Sequence, residues 1–144
     1  MLALDPPALV VLPDPISTNN LFVNVPGRGR VMSKDYTYWK RLAAQTIAAQ
    51  LPLPKFALPV QITFYVGEKN TGLMDSDNTL KAYLDALKTA GIIHDDNRKW
   101  LRRAVAVWVP GMGGCVARIT VAGLDPSAQE IRASVRKNLL GLLT

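Results

Sequence analysis

The residues with the clearest chemical potential are Asp75-Ser76-Asp77-Asn78-Thr79-Leu80-Lys81, with Asp95-Asp96 further along. Two carboxylates stand two residues apart where a polar loop turns into a helix. A second acidic pair arrives just past that helix. If the chain turns back beside the helix start, three or four carboxylates converge, and such a cluster seats a hard divalent cation. Carboxylates that close resist full ionisation unless a cation joins them. Lys81 supplies part of that positive charge and a metal the rest. A metal held by carboxylates with open water positions activates a nucleophilic water and stabilises phosphoryl oxygens. Lys81 can also grip a phosphate or a leaving oxygen as a point charge. The same residues have a plainer reading: Asp77-Asn78 as an N-cap, Asp95-Asp96-Asn97 as a turn, and Asp85 between Lys81 and Lys88 as a solvated salt-bridge ladder.

The helix that positions these groups is written in its own periodicity. Leu80, Tyr83, Leu84 and Leu87 follow i, i+3, i+4, i+7 and predict one buried face. Counting 100° per residue from Asn78, Asp77, Lys81, Asp85 and Lys88 fall on the opposite face, with Asp77 and Lys81 close enough to touch. Asp75, on a still-extended approach, points the same way as Asp77. Gly91 after Ala90 fits a left-handed C-terminal cap.

Around this helix the chain reads as alternating strands and helices. Val10-Val11-Leu12 is a short strand closed by Pro13, and Ser17–Asn20 lies in a turn-rich loop. Leu21–Val25 and Val31-Met32 are arms of a hairpin whose tip, Pro26-Gly27-Arg28-Gly29-Arg30, is basic. Ser33 caps a helix over 34–50, with Tyr38, Leu42, Ile47 and Leu51 as its apolar side and Pro52 and Pro54 as its stop. Residues 61–66 alternate as a strand with Ile62, Phe64 and Val66 on one face. Residues 67–72 form the loop that delivers the acidic motif. Arg98-Lys99-Trp100-Leu101-Arg102-Arg103 is the densest basic patch; arginine beside tryptophan can hold phosphates and stack on bases. Strands over 104–109 and 115–121, joined by the turn at 110–114, read as a hairpin. A last amphipathic helix runs over 126–142, with Ile131, Val135, Leu139 and Leu142 as its apolar set and Arg132, Arg136 and Lys137 beside it. Trp39 and Trp108 are expected in the core or at a dimer surface.

Composition narrows the chemistry. At 144 residues, 49% hydrophobic and 19% charged, the chain suits one domain with a real core. A net charge of +6 and a pI of about 9.7 suit a polyanionic partner. Cys115 is the only cysteine, which excludes an internal disulfide and a cysteine-based zinc site, and His94 is the only histidine, so triads and zinc sites that need histidine are poorly supplied. Cys115 sits in an apolar run and reads as a buried, inert thiol. No run is long enough to span a bilayer, and early prolines argue against a signal peptide. The expectation is a cytoplasmic protein with no membrane and no organic cofactor, whose chemistry rests on carboxylates, lysines and an added ion.

Taken together, these residues resemble the RusA family, the small bacterial and phage Holliday junction resolvases. Leu12-Pro13-x-Pro15 with Ser17 and Asn19-Asn20 matches the family's N-terminal proline-asparagine signature, and Gly27-Arg28-Gly29-Arg30 with Ser33 is similar to its next segment. The most specific likeness is Asp75-x-Asp77-Asn78-x-x-Lys81, then Asp85-Ala86-Leu87, Ala90-Gly91 and Asp95-Asp96. It covers about residues 9–122, leaving the 126–142 helix as an addition to one domain spanning 1–144. The resemblance implies an α/β (α+β) fold with a small mixed sheet and helices packed on it. It also implies a homodimer that uses Mg²⁺, with Mn²⁺ as a substitute, to cut four-way junction DNA. By the same likeness Asp75, Asp77 and Asp96 are the metal-binding catalytic carboxylates and Lys81 the essential helix lysine, with Asp95 and Asn78 as accessory residues. Arg28, Arg30, Arg98, Lys99, Arg102 and Arg103 are the expected DNA contacts. One departure stands out: where family members often place several arginines before the first aspartate, this chain has Asn70-Thr71-Gly72-Leu73-Met74.

Three other readings stay open on sequence alone. A junction-binding protein of the same fold would bind without cutting. A different carboxylate-metal phosphohydrolase would cut small nucleotide substrates. A basic interaction domain would use the 126–142 helix for a protein partner.

Overall fold

The architecture is set by β4 (Val60–Gly67), an inner strand of the main sheet that is paired along both edges. Val60, Ile62, Phe64 and Val66 are all buried on one face, as their period of two requires. The computed structural model describes residues 7–50, 52–123 and 126–142. In chain order its elements are β1 (Ala8–Leu12), β2 (Phe22–Val25), β3 (Gly29–Met32), α1 (Lys34–Ala48), β4, α2 (Leu80–Thr89), β5 (Leu101–Val109), β6 (Cys115–Val121) and α3 (Pro126–Leu142). Short 3₁₀ turns at Thr18–Asn20 and Ser76–Thr79 precede β2 and α2.

The main sheet is mixed, with strand order β1-β6-β4-β5, and β2 and β3 form a separate antiparallel hairpin. The fold is thus the α+β arrangement expected, with helices on a small mixed sheet. β4 and β5 run parallel, a pairing that needs a crossover, which α2 supplies. β6 pairs antiparallel with β4 on one side and β1 on the other. The expected hairpin between β5 and β6 is therefore absent: the 110–114 turn crosses the end of β4, and β6 inserts on its far side. Gly67 makes that crossing possible. A Cβ there would collide with the Met112 carbonyl, while Gly67 N–H donates to the Gly114 carbonyl at 2.8 Å.

One face of the sheet carries the core, where Val10, Leu12, Ile62, Phe64, Val66, Cys115, Ala117 and Ile119 meet residues of α1 and α2. Phe64 stacks on Tyr83 of α2 with ring centroids 5.4 Å apart, and Tyr83 meets Trp39 of α1 at 5.6 Å. Aromatic rings at these distances add to their area burial. Cys115 lies in this layer, and burial pushes its thiol up to about 12, the inert state expected of it. On the other face Leu9, Val11, Tyr65 and Val107 remain solvent-accessible.

α1 begins as expected, with Ser33 Oγ accepting from the Tyr36 N–H at 3.0 Å. Its buried face differs. Tyr36, Trp39, Ala43 and Ile47 face the core, whereas Tyr38 is 67% and Leu42 37% exposed. Leu51 lies outside the described residues. Apolar residues occur on two sides of this helix. The side with two large aromatics wins because Trp39 also donates its indole N–H to the Asp14 carbonyl at 2.7 Å. In α2, Tyr83 and Leu87 are fully buried and Leu80 and Leu84 partly so, with Ala82 added to that face. The helix closes with Gly91 at φ +76°, Gly91 N–H bonding the Lys88 carbonyl and Ile92 N–H the Leu87 carbonyl. That pair of bonds is a Schellman cap.

α3 follows the expected span, but its apolar set is not buried: Ile131 is 63% and Val135 52% exposed. The side chains of Leu139 and Leu142 lie outside the described residues. Among the described residues no helix is long and apolar enough to cross a membrane.

Candidate active site

The acidic motif is held by hydroxyls. Thr79 is fully buried and donates to the Ser76 carbonyl at 2.8 Å, closing the 3₁₀ turn Ser76–Thr79. Thr18 donates to the Asn78 carbonyl at 2.9 Å and ties that turn to Thr18–Asn20. Asp75 occupies the N-cap position in an extended conformation without making the capping bond, and Asp77 lies in the first turn. Both residues are exposed. Among the described residues neither carboxylate has a hydrogen-bond or ion-pair partner. Two acceptor-only groups thus stand open at the positive end of a helix-forming segment.

Lys81 does not pair with Asp77. Because Ser76–Thr79 is a 3₁₀ turn and α2 starts only at Leu80, the i, i+4 geometry does not reach back to Asp77. Lys81 instead bonds Asp85 at 3.2 Å. Asp85 in turn accepts from the Tyr36 hydroxyl at 3.1 Å, which anchors the pair to α1. Burial and then the Asp85 charge raise the Tyr36 phenol well above its ordinary value, so it stays a donor.

Asp95 and Asp96 gather at the opposite end of α2, around Lys88. Lys88 Nζ lies 3.5 Å from Asp95 and 3.7 Å from Asp96. Asp95 also accepts from the Asp96 N–H at 2.8 Å and the Asn97 amide at 3.1 Å. The backbone N–H of Asp96, then Lys88, holds the Asp95 carboxyl below its usual value, while Asp96 and then Asp95 raise Lys88. Backbone pairing places this segment beside the start of β4: Phe56 N–H bonds the Ile92 carbonyl, and Val60 N–H bonds the Trp100 carbonyl. Asp75 belongs to the other end, where Leu73 and Met74 line a pocket with Trp108 near the end of β5. The ten-residue helix between the two acidic pairs is about 15 Å long.

Three carboxylates therefore do not converge in one chain. Among the described residues, no group of three His, Cys, Asp or Glu side chains is placed to hold a metal ion. The open pair Asp75 and Asp77 does suit Mg²⁺ in its usual protein mode, one or two carboxylates with the remaining positions left to water and substrate phosphate. Asp96 stands apart from that pair, sharing Lys88 with Asp95.

The basic residues divide the same way. Arg28 and Arg30 lie on the β2–β3 hairpin, at the Asp75 end through the Thr18–Asn78 bond. Arg98, Lys99, Arg102 and Arg103 lie at the Asp96 end, where Arg102 bonds the Arg98 carbonyl at 2.9 Å and Lys99 sits 5.2 Å from the Trp100 ring centre. Sequence reasoning missed Asp14 as an organising group. Its carboxylate accepts from Gly114 N–H at 2.6 Å and from the Asn70 amide at 3.1 Å, pinning the loop that leads to Asp75. Only its place between two prolines hinted at a fixed turn.

Residues 13–121 match the family model for endodeoxyribonuclease RusA. The chain belongs to the RusA family. No curated protein matches it. Membership in the RusA family makes the chain an endodeoxyribonuclease-family member whose partner is DNA. The open Asp75–Asp77 pair falls inside the matched span, as do Lys81, Asp95 and Asp96.

Proposed function

We propose that this RusA-family chain is a Mg²⁺-dependent, structure-selective endodeoxyribonuclease. It resolves four-way Holliday junctions by paired symmetric nicks during recombination and repair in the cytoplasm. The observation that carries this reading is the pair Asp75 and Asp77, unpartnered among the described residues, in the turn that leads into the helix of Lys81, in a basic chain of this family. Asp75 and Asp77 would hold the ion, with Mn²⁺ able to replace it. When bound, such an ion stabilises phosphoryl oxygens and lowers the pKa of an attached water. Lys81, half exposed and joined to Asp85, can exchange that partner for a substrate phosphate. Tyr36 keeps Asp85 in place while Lys81 moves. Arg28 and Arg30 would contact the DNA at this end of the molecule, and the Arg98–Arg103 segment would hold backbone phosphates at the other.

Asp96 belongs to the same proposed site, but as a residue of a second copy. A two-fold homodimer presents two equivalent sites to a substrate with its own approximate two-fold symmetry. It can also bring the Asp95–Asp96 end of one chain to the Asp75–Asp77 end of the other. The competing reading is a junction-binding protein that does not cut, favoured by the separation of Asp96 from Asp75 and Asp77 within one chain.

A synthetic four-way junction, incubated with and without Mg²⁺, tests the choice. Wild type should give symmetric nicks only with the ion, and Asp77→Asn should bind without cutting. Binding without nicks by wild type would establish the non-cutting protein instead, and undiminished cutting by the variant would remove Asp77 from the site.

A further inference from the structure

A second polar site adjoins the Asp75–Asp77 turn. Thr18, Asn19, Phe22, Asn24 and Arg30 line a pocket of about 320 Å³. Its walls follow from strand register. Asn24 pairs across the hairpin with Arg30, and Phe22 lies two residues before Asn24 on the same face of β2. Arg30 lies over the Phe22 ring, with its guanidinium carbon 4.5 Å from the ring centre. Phe22 also makes an edge-on contact with buried Tyr36, centroids 6.1 Å apart. Thr18 closes the pocket, and its bond to the Asn78 carbonyl fixes the pocket against the acidic turn.

The chemistry of this lining is unspent. Among the described residues, the side-chain amides of Asn19 and Asn24 have no hydrogen-bond partner and Arg30 has no ion pair. A phosphate would use donors only. Two amides offer carbonyl acceptors as well as N–H donors, which suits the mixed edge of a nucleobase. A guanidinium lying over an aromatic ring adds a flat cationic surface of the kind on which unstacked bases rest. A base at a branch point is already partly unstacked, so little energy is needed to turn it out.

We propose that this pocket receives one unpaired base of the DNA strand bound at Asp75–Asp77 and sets the sequence preference of cutting. Asn24 and Asn19 read the base edge, and Arg30 on Phe22 supports its face. This inference rests on the nuclease reading above and adds the group that would choose where along a junction the cut falls.

The test is a set of four-way junctions carrying every base at each position flanking the cut, digested by wild type, Asn24→Ala and Asn19→Ala. Melting curves confirm that each variant is folded, and the two substitutions serve as independent reports. Wild type should favour one base at one position. In each variant that discrimination should fall at least about fivefold, the smallest effect of losing a good edge contact, because cutting of the favoured junction drops toward that of the others. Affinity in Mg²⁺-free buffer should keep its salt dependence. Several results overturn the pocket while leaving the nuclease reading intact: a wild type that cuts all sequences equally, a preference unchanged in both variants, or a uniform loss of affinity with a shallower salt slope, which marks a phosphate contact. Failure of wild type to cut any junction would remove the nuclease reading, and the pocket's proposed role with it.

Discussion

At the start of α2 two carboxylates face solvent with no partner among the described residues, while at its end two carboxylates share the ammonium of Lys88. The residue types are the same and the electrostatic states are opposite. Among the described residues, no side chain pairs with the first two carboxylates. The second shares one internal ammonium, which offsets part of its charge, and is further fixed by the Asp96 N–H and the Asn97 amide. An open pair is a receptor for a cation from solution, whereas a bridged pair is a structural joint until something displaces its lysine. The ends therefore differ in readiness although the sequence writes both as short acidic runs.

The largest effect expected from this contrast is at Asp77. Asp77→Asn should lower junction cleavage at least about 100-fold, because a metal's stabilisation of phosphoryl charge is worth several kcal/mol. The melting temperature should not fall, since the Asp77 carboxylate makes no contact among the described residues. A variant that loses stability along with activity would show that the open end is structural after all.

Next in size is a mixing experiment that asks which chain supplies Asp96. Asp77→Asn and Asp96→Asn proteins, each inactive alone, are unfolded together, refolded and given a junction. If Asp96 serves the partner's site, a mixed dimer keeps one intact site and one doubly broken site. Random pairing then leaves about a quarter of the wild-type sites, and the products are nicked rather than fully resolved junctions. That is the expected result. A mixture as inactive as its components would place all three carboxylates in the same subunit's site.

How much of this was legible beforehand differs between the two ends. The buried rows of β4 and α2, the Ser33 cap and the Gly91 cap follow from local rules, because side-chain period and backbone φ act over a few residues. The same rules gave a partly wrong face for α1: Ile47 is buried as expected, but Tyr38 and Leu42 are exposed while Tyr36 and Trp39 face the core. A hydrogen bond to Asp14, distant in sequence, decided it. Strand order also escaped: β5 and β6 looked like a hairpin because the Pro110–Gly114 turn is suited to one, and only Gly67 marks where that turn crosses β4. At the candidate site the acidic residues could be named from their spacing. Their separation could not, because spacing in sequence does not say whether a crossover helix returns the chain to its start or leaves it at the far end.

Smaller in effect is the basic segment at the bridged end. Arg102→Ala should weaken junction binding and flatten the dependence of log affinity on log salt by about one unit at most, the contribution of a single phosphate contact. Titrating junction binding at several salt concentrations reads this directly. An unchanged slope would confine DNA contact to the Arg28–Arg30 end and set the two ends further apart in role.

The smallest effect concerns Lys88 itself, and its sign can be worked out. Asp96 and Asp95 raise the Lys88 ammonium above its ordinary value, so its contribution to stability is complete below the unfolded lysine pKa and fades as pH rises through the folded one. Asp95 is lowered, chiefly by the Asp96 N–H and then by Lys88, so its contribution is present above the unfolded carboxylate value and fades as pH falls through the folded one. Both contributions operate together between about pH 4 and pH 10. Lys88→Met should therefore lower the melting temperature slightly at pH 7 and less at either extreme. High salt should shrink the difference, because these groups are exposed to solvent and screened by ions. A melting-temperature difference that persists in 1 M salt would mean that Lys88 holds the Asp95–Asp96 turn by packing rather than by charge. In that case the two ends of α2 would differ in shape as well as in electrostatic pairing.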